Sequence, residues 1–355
     1  MLQLYGWSDD WSRAFEPHAA LGHFPARVLV QQRGRLAVMT DLGETFATVS
    51  GRLRHDAPDG DLPAVGDWVV LSANGDGSAT IHAILPRRTA FTRKAADSVQ
   101  TRQVVAANAD FALIVAALNA DFNPRRIERY LAAAWASGAQ PVVLLTKSDL
   151  CDDLPARLAE TEAVAGGCPV IALSARTGAG VDALFALLRR GETCVLVGSS
   201  GAGKSTLVNL LAGEERMATG AIREDDARGR HTTSHRELVL LPSGALILDT
   251  PGMRELGLID AEEGVSATFE DVEAIVAACR FRDCGHDAEP GCAVRAALAD
   301  GSLDPARWAS FNKLHGELAH LDRKEDRVAR EANRKLWIKR NKAGRARMKA
   351  KEGPD

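Results

Sequence analysis

The sequence predicts a multidomain α/β protein. An OB-like β-barrel comes first, then a domain built on a mostly parallel sheet, then a helical domain around a Cys/His knot. Three observations carry this: apolar residues alternate along short segments between residues 24 and 94, buried apolar runs alternate with amphipathic stretches from residue 109, and three of the six cysteines fall between 279 and 292. A chain of 355 residues is long for one core, and at about 150 residues per domain it calls for two or three. The expected divisions are 1–95, 96–260 and 261–355.

The barrel is expected from five short strands over residues 26–32, 35–40, 45–53, 67–73 and 79–85, punctuated by Arg33-Gly34, Asp59-Gly60 and Asn74-Gly75-Asp76-Gly77. Five strands in about 70 residues suit an OB-fold, and an SH3-like barrel would show the same pattern. Residues 1–23 give no reading of their own.

In the central domain, residues 111–118, 141–146, 169–173 and 193–197 are continuous apolar runs, as in parallel strands covered on both faces. The stretches 124–137, 154–165 and 181–190 between them read as helices, which gives a doubly wound arrangement. Strands at 236–241 and 245–249 follow, separated by Pro242-Ser243-Gly244, and are expected to pair. Beyond Leu258 the chain turns helical, with segments at 272–279 and 308–321 on either side of the knot and a charged run to the end.

Composition narrows the function classes. With 46% apolar and 26% charged residues, disorder over the whole chain is excluded. The longest apolar run, Phe111 to Leu118, is far short of the roughly 20 residues of a membrane-spanning helix. The first residues carry Asp9 and Asp10 and no apolar core, so no secretory signal is read there, and a cytoplasmic location is expected. Net charge is −3, but residues 322–351 hold 13 Lys/Arg against 4 Asp/Glu, a basic tail on an acidic body. Such a tail suits an anionic partner or is merely solvated.

The strongest motif is Gly198-Ser199-Ser200-Gly201-Ala202-Gly203-Lys204-Ser205, placed between a strand and a helix as a phosphate-binding loop requires, with Thr206 next along the helix. Its glycines let backbone N–H groups converge on the β-phosphate. Lys204 would reach the β- and γ-oxygens, and Ser205 would ligate Mg²⁺. The base is indicated by Thr146-Lys147-Ser148-Asp149 at the end of a strand. A carboxylate at Asp149 can accept both N1–H and N2–H₂ of guanine, a donor pair that adenine lacks; alone, Ser148 or Asp149 would equally serve as a helix cap. Ser174-Ala175 matches the companion loop whose N–H meets guanine O6, and Asp249-Thr250-Pro251-Gly252 places Asp249 near Mg²⁺ and the Gly252 N–H near the γ-phosphate. Together these select GTP and GDP. The guanine-reading pair precedes the phosphate loop, the reverse of the common GTPase order, so the domain is a circularly permuted P-loop GTPase. A small-molecule P-loop kinase is the alternative, with no need for Asp149.

In the C-terminal region, Cys279, Cys284, His286 and Cys292 supply three thiolates and an imidazole within 14 residues, the ligand complement of a closed, structural zinc site.

A barrel, a permuted GTPase, the stretch Gly229-Arg230-His231-Thr232-Thr233 and this knot together resemble the bacterial ribosome small-subunit-dependent GTPase A family, over residues 24–320. The resemblance implies an OB-fold, a central GTPase domain and a zinc-binding C-terminal domain. It also implies late maturation of the small (30S) ribosomal subunit, with slow GTP hydrolysis accelerated by that subunit. The stretch 229–233 stands at the switch I position, where a threonine, Thr233 or else Thr232, would close over Mg²⁺ and sense the γ-phosphate. Met253 stands where Ras-like enzymes place the water-orienting Gln, so His231 is the nearest candidate for that task. The barrel, with Arg87-Arg88 and Arg93-Lys94, and the basic tail are candidate contacts to 16S rRNA. The expected protein is a monomer without membrane attachment. A GTP-controlled rRNA-binding module, with hydrolysis incidental, is the alternative.

Overall fold

The computed structural model describes residues 1–32, 34–57, 61–94, 102–214, 236–249, 261–321 and 323. A single-turn 3₁₀ helix at Leu2–Tyr5 and α1 (Asp9–Ala19) precede the barrel strands β1 (Phe24–Gln32), β2 (Arg35–Thr40) and β3 (Gly43–Val49). Then come α2 (Gly51–Asp56), β4 (Trp68–Ala73) and β5 (Ala79–Ile84). The strand order β1-β2-β3-β5-β4 closes through β1–β4, with β3 parallel to β5. A helix between β3 and β4 completes OB topology. The expected third strand, 45–53, breaks at Ser50, whose hydroxyl accepts the Leu53 N–H at 3.1 Å and caps α2. A short polar cap here outcompetes further ladder bonds.

The antiparallel pair β6 (Ala90–Lys94) and β7 (Arg102–Ala107) leads into the central sheet. That sheet contains β8 (Phe111–Ala117), β9 (Gln140–Thr146), β10 (Val170–Ala172), β11 (Thr193–Val197), β12 (Glu237–Leu240) and β13 (Leu246–Asp249). Its order is β10-β9-β8-β11-β13-β12, all parallel except β12, which pairs antiparallel with β13 as expected. The helices are α3 (Pro124–Ser137), α4 (Leu154–Glu162), α5 (Val181–Leu187) and α6 (Lys204–Ala212). At its far edge β12 pairs with β1 through Val30 and Glu237, joining barrel and central domain in one 11-stranded sheet.

The C-terminal domain comprises α7 (Glu262–Thr268), α8 (Glu270–Ala277), α9 (Ala293–Asp300) and a helix over residues 305–321. Val265, Phe269, Val272, Val294 and Leu314 form its core, and Ala132 of α3 belongs to the same cluster.

Residues 1–23 carry packing that was not anticipated. Trp7 and Trp11 meet Trp68 of the barrel at centroid distances of 4.8 and 6.0 Å, with Phe15 buried beside them. Beneath them Arg27 is buried on β1. Its guanidinium donates to the carbonyls of Gly66, Tyr5 and Asn108 and to Thr193 Oγ1, so one side chain spans N-terminal segment, barrel and central domain. Burial lowers its pKa to about 10, a cost that these acceptors and the Trp68 face at 5.3 Å offset. Trp68→Ala is expected to cost about 3–5 kcal/mol, read as a lower denaturation midpoint by circular dichroism. A change below about 1 kcal/mol would mean that the tryptophan cluster does not fasten the segment.

Candidate nucleotide and metal sites

Parallel strands β8, β9, β10, β11 and β13 all point their carboxyl ends to one edge of the sheet, and the predicted loops follow those ends. Strand order reverses between β8 and β11, which opens the crevice where doubly wound sheets bind ligands. The loop from Gly198 to Ser205 lies at this crevice. Gly198 has φ +154°, and a Cβ there would stand 2.4 Å from the Val115 carbonyl of β8, so no larger residue fits. The Lys204 ammonium lies under the loop and donates to the carbonyls of Gly198, at 2.7 Å, and Ser199. Ser205 and Thr206 occupy the first turn of α6, whose N-terminal amides face the loop.

The base-reading segment is fastened to this loop. Thr146 Oγ1 donates to the Ala202 carbonyl at 2.6 Å. Lys147 adopts the left-handed conformation with φ 59°, uncommon for a non-glycine residue, and so turns the chain sharply at the strand end. The Ser148 N–H bonds to the Leu173 carbonyl at 3.2 Å, which brings in the third segment. There Ser174, fully buried, donates its hydroxyl to Asp149 Oδ1 at 2.6 Å, and Arg176 donates to Oδ2 at 2.8 Å. These two donors, Ser174 first, hold the Asp149 carboxyl below the usual carboxylate range. Ala175 follows Ser174 in the same turn. The guanine-reading pair predicted from two separate motifs is therefore one hydrogen-bonded unit.

Asp249 ends β13 beside β11, at the same sheet edge. Ser205 offers a hydroxyl, a hard oxygen donor of the kind Mg²⁺ takes. His231, Thr232, Thr233, Thr250, Gly252 and Met253 lie outside the described residues, as does all of the basic tail except Arg323.

An open groove of about 470 Å³ borders the phosphate loop, with Asp121, Arg126, Lys147, Ser199, Ser200 and Gly201 along its walls. Asp121 and Arg126 belong to no predicted motif. The only signal near them is Asn123-Pro124, a helix-start pair, and Asn123 does cap α3 by accepting from the N–H groups of Arg125 and Arg126.

The four knot residues converge. Ligand atoms of Cys279, Cys284, His286 and Cys292 lie within 4.8 Å of one another, with Cys279 and Cys292 Sγ each 3.6 Å from His286 Nδ1 and 4.0 Å apart. A tetrahedral zinc centre with Zn–S near 2.3 Å and Zn–N near 2.0 Å sets edges of about 3.8 Å between sulfurs and 3.5 Å from sulfur to nitrogen. The three spacings among Cys279, Cys292 and His286 match these edges, and Cys284 completes the set within 4.8 Å. His286 has φ 61°, and its ring stands edge-on to Trp308 of the closing helix at 5.3 Å. The N–H of Arg295 donates to Cys292 Sγ at 3.5 Å.

The comparisons agree with this architecture. Residues 84–259 match the family model described as RsgA GTPase. The chain is 50% identical over 357 residues to the "Small ribosomal subunit biogenesis GTPase RsgA" of Opitutus terrae, covering 98% of this chain and 97% of that one. Against the protein of the same name from Streptomyces coelicolor it is 44% identical, covering 99% and 96%. Among solved structures, YjeQ from Thermotoga maritima superposes with a TM-score of 0.63 at 25% identity, covering 83% of this chain and 99% of its own. YloQ, described as a circularly permuted GTPase, superposes with a TM-score of 0.59 at 25% identity, covering 86% and 96%. The glycine-rich loop, the Asp149–Ser174 unit and the permuted strand order thus coincide with full-length similarity, and the chain belongs to the RsgA GTPase family of GTP-hydrolysing enzymes.

Proposed function

We propose that this GTPase binds the small ribosomal subunit and assists its late maturation, with slow hydrolysis that the subunit accelerates. The observation that carries the nucleotide part is the unit Ser174–Asp149 fastened through Thr146 to the phosphate loop. It fixes a guanine reader and a phosphate cradle in one frame. The ribosomal part draws on relatives named for small-subunit biogenesis.

In this reading Asp149 accepts the guanine N1–H and N2–H₂ protons, while the Ala175 N–H meets O6; the Ser174 N–H is spent on the Ala179 carbonyl at 2.9 Å and holds the turn. Lys204 and the amides from Gly198 to Gly203 neutralise the β- and γ-phosphates, and Ser205, Asp249 and Thr233 hold Mg²⁺. Bound there, Mg²⁺ offsets the charge that develops on the phosphate oxygens. Thr233 and the Gly252 N–H would sense the γ-phosphate, and His231 would orient the attacking water. Hydrolysis consumes that water and releases GDP and phosphate. Cys279, Cys284, His286 and Cys292 would hold a zinc whose role is structural, since four side chains supply the whole ligand set. On the barrel, Arg35 lies 4.0 Å over the exposed Phe46 ring, a surface suited to stacking bases of 16S rRNA, and the basic tail would follow rRNA phosphates. Among the described residues no helix is long and apolar enough to cross a membrane. We expect a cytoplasmic monomer.

The test is GTP turnover by the purified protein with and without small ribosomal subunits, at low and high salt. Stimulation that fades with salt is the expected result. His231→Ala should keep GTP affinity and lose most of the stimulation. Turnover indifferent to the subunit would leave the GTP site standing and remove the activator. The alternative, rRNA binding with incidental hydrolysis, requires that a hydrolysis-dead variant still complete subunit maturation.

A further inference from the structure

Asp121 stands in the loop between β8 and α3, on the wall of the groove beside the phosphate loop. Its carboxylate accepts two hydrogen bonds from Arg126, at 2.6 and 3.0 Å, and one from Ser199 Oγ at 3.1 Å. Arg126 above all, then Ser199, holds it below the usual carboxylate range. The carbonyl of the same Ser199 accepts from Lys204. A line of polar contacts therefore runs from Arg126 on α3, through Asp121, to the loop that would cradle the phosphates.

The other side of α3 is fixed to the C-terminal domain. Glu128 is wholly buried and accepts from Arg307 at 2.9 Å. Arg307 also grips Asp271 with two donors, at 2.8 and 2.6 Å, and lies over the Phe269 ring. Arg129 pairs with Glu317 at 2.6 Å, and Arg125 pairs with Asp304. A Cβ on Gly264 of α7 would stand 2.1 Å from the Ala132 carbonyl of α3, so the two helices meet backbone to backbone. With so many constraints along its length, α3 must move with the C-terminal domain.

We propose that Asp121 is a positioning residue for the phosphate loop, and that Arg126 and α3 make it the link between that loop and the C-terminal domain. The proposal rests on reading residues 198–205 as the phosphate cradle, and it requires no ribosome. It also differs in sign from a purely electrostatic role. A carboxylate beside a polyphosphate repels it, so on charge alone its removal should tighten nucleotide binding. A positioning role means that its removal loosens the cradle.

The experiment is the release rate of a fluorescent GDP analogue from the full chain with Mg²⁺ and without ribosomal subunits. Asp121→Ala is expected to speed release about three- to ten-fold, and Asp121→Asn, which keeps one acceptor, by less. In steady-state hydrolysis the KM for GTP should rise while kcat changes little. Unchanged or slower release overturns the positioning role. Gly264→Ala, which forces α7 off α3, should speed release in the unaltered chain and add nothing in the Asp121→Ala background. An equal effect in both backgrounds overturns the link. Should Gly264→Ala fail to fold, Asp304→Asn combined with Glu317→Gln, the first exposed and the second half-buried, takes its place in the same cycle. Lys204→Ala, with Asp121 intact, checks the underlying reading separately: retained nucleotide would overturn the cradle, and the proposal with it.

Discussion

Exchange of Asp149→Asn is expected to reduce GTP affinity by about 10²- to 10³-fold and to make xanthosine triphosphate the better ligand. Guanine presents two donors at N1 and N2, and the carboxylate accepts both through charge-assisted bonds worth about 1.5–3 kcal/mol each. An asparagine accepts one proton and turns its own N–H₂ towards the other donor, which leaves both without a partner. Xanthine carries oxygen at C2, so the same asparagine donates there and accepts from N1–H. Ser174 and Arg176 bond to separate oxygens of Asp149, which orients the carboxylate and keeps it ionised in mildly acidic solution, where free carboxyls begin to take up protons. Titration calorimetry with both nucleotides reads the outcome. Unchanged GTP affinity would remove Asp149 from the base site.

The second large effect concerns the metal. Chelation, or Cys284→Ser, is expected to unfold the C-terminal domain while the central domain still binds nucleotide, with faster release. Four ligands converge on one point in a segment, 278–292, that has no regular structure to hold it. Apparent binding energies of structural zinc, about 10–16 kcal/mol, exceed the few kcal/mol that a core of this size supplies. Chelator should therefore lower helical circular dichroism and open cleavage sites between α8 and α9, with a stoichiometric metal released. Identical digestion patterns with and without metal would show that the core of Val265, Phe269 and Leu314 suffices.

Legibility in the sequence followed the range of the interactions. The glycine-rich loop at 198–205, the Asp149 and Ser174 segments and the Cys/His cluster stand out in the sequence because each is a pattern of residue types within a short segment. Strand runs in the central sheet were readable because burial on both faces leaves unbroken apolar stretches. The N-terminal helix was missed although its signal was present: Trp7, Trp11 and Phe15 recur at intervals of four, a helical stripe, but their partner Trp68 is distant in sequence. Asp121 and Arg126 form no motif, since their meaning lies in Ser199, 78 residues away, which only the fold brings near. Arg27 belongs to no motif. Its acceptors are mostly backbone carbonyls, which no sequence pattern announces.

The pairing of β1 with β12 bears on how the chain can be divided. An unpaired strand edge is a template for other chains, and natural proteins hide or shorten such edges. At one margin the central sheet ends in β10, a strand of only three residues. At the other, β12 lies beside the first strand of the barrel, joined at Val30 and Glu237. The barrel thus caps the sheet against self-association, quite apart from any contact with RNA. A fragment that begins after the barrel would bare β12, leave Thr193 without Arg27, and present an adhesive margin that the intact chain never exposes.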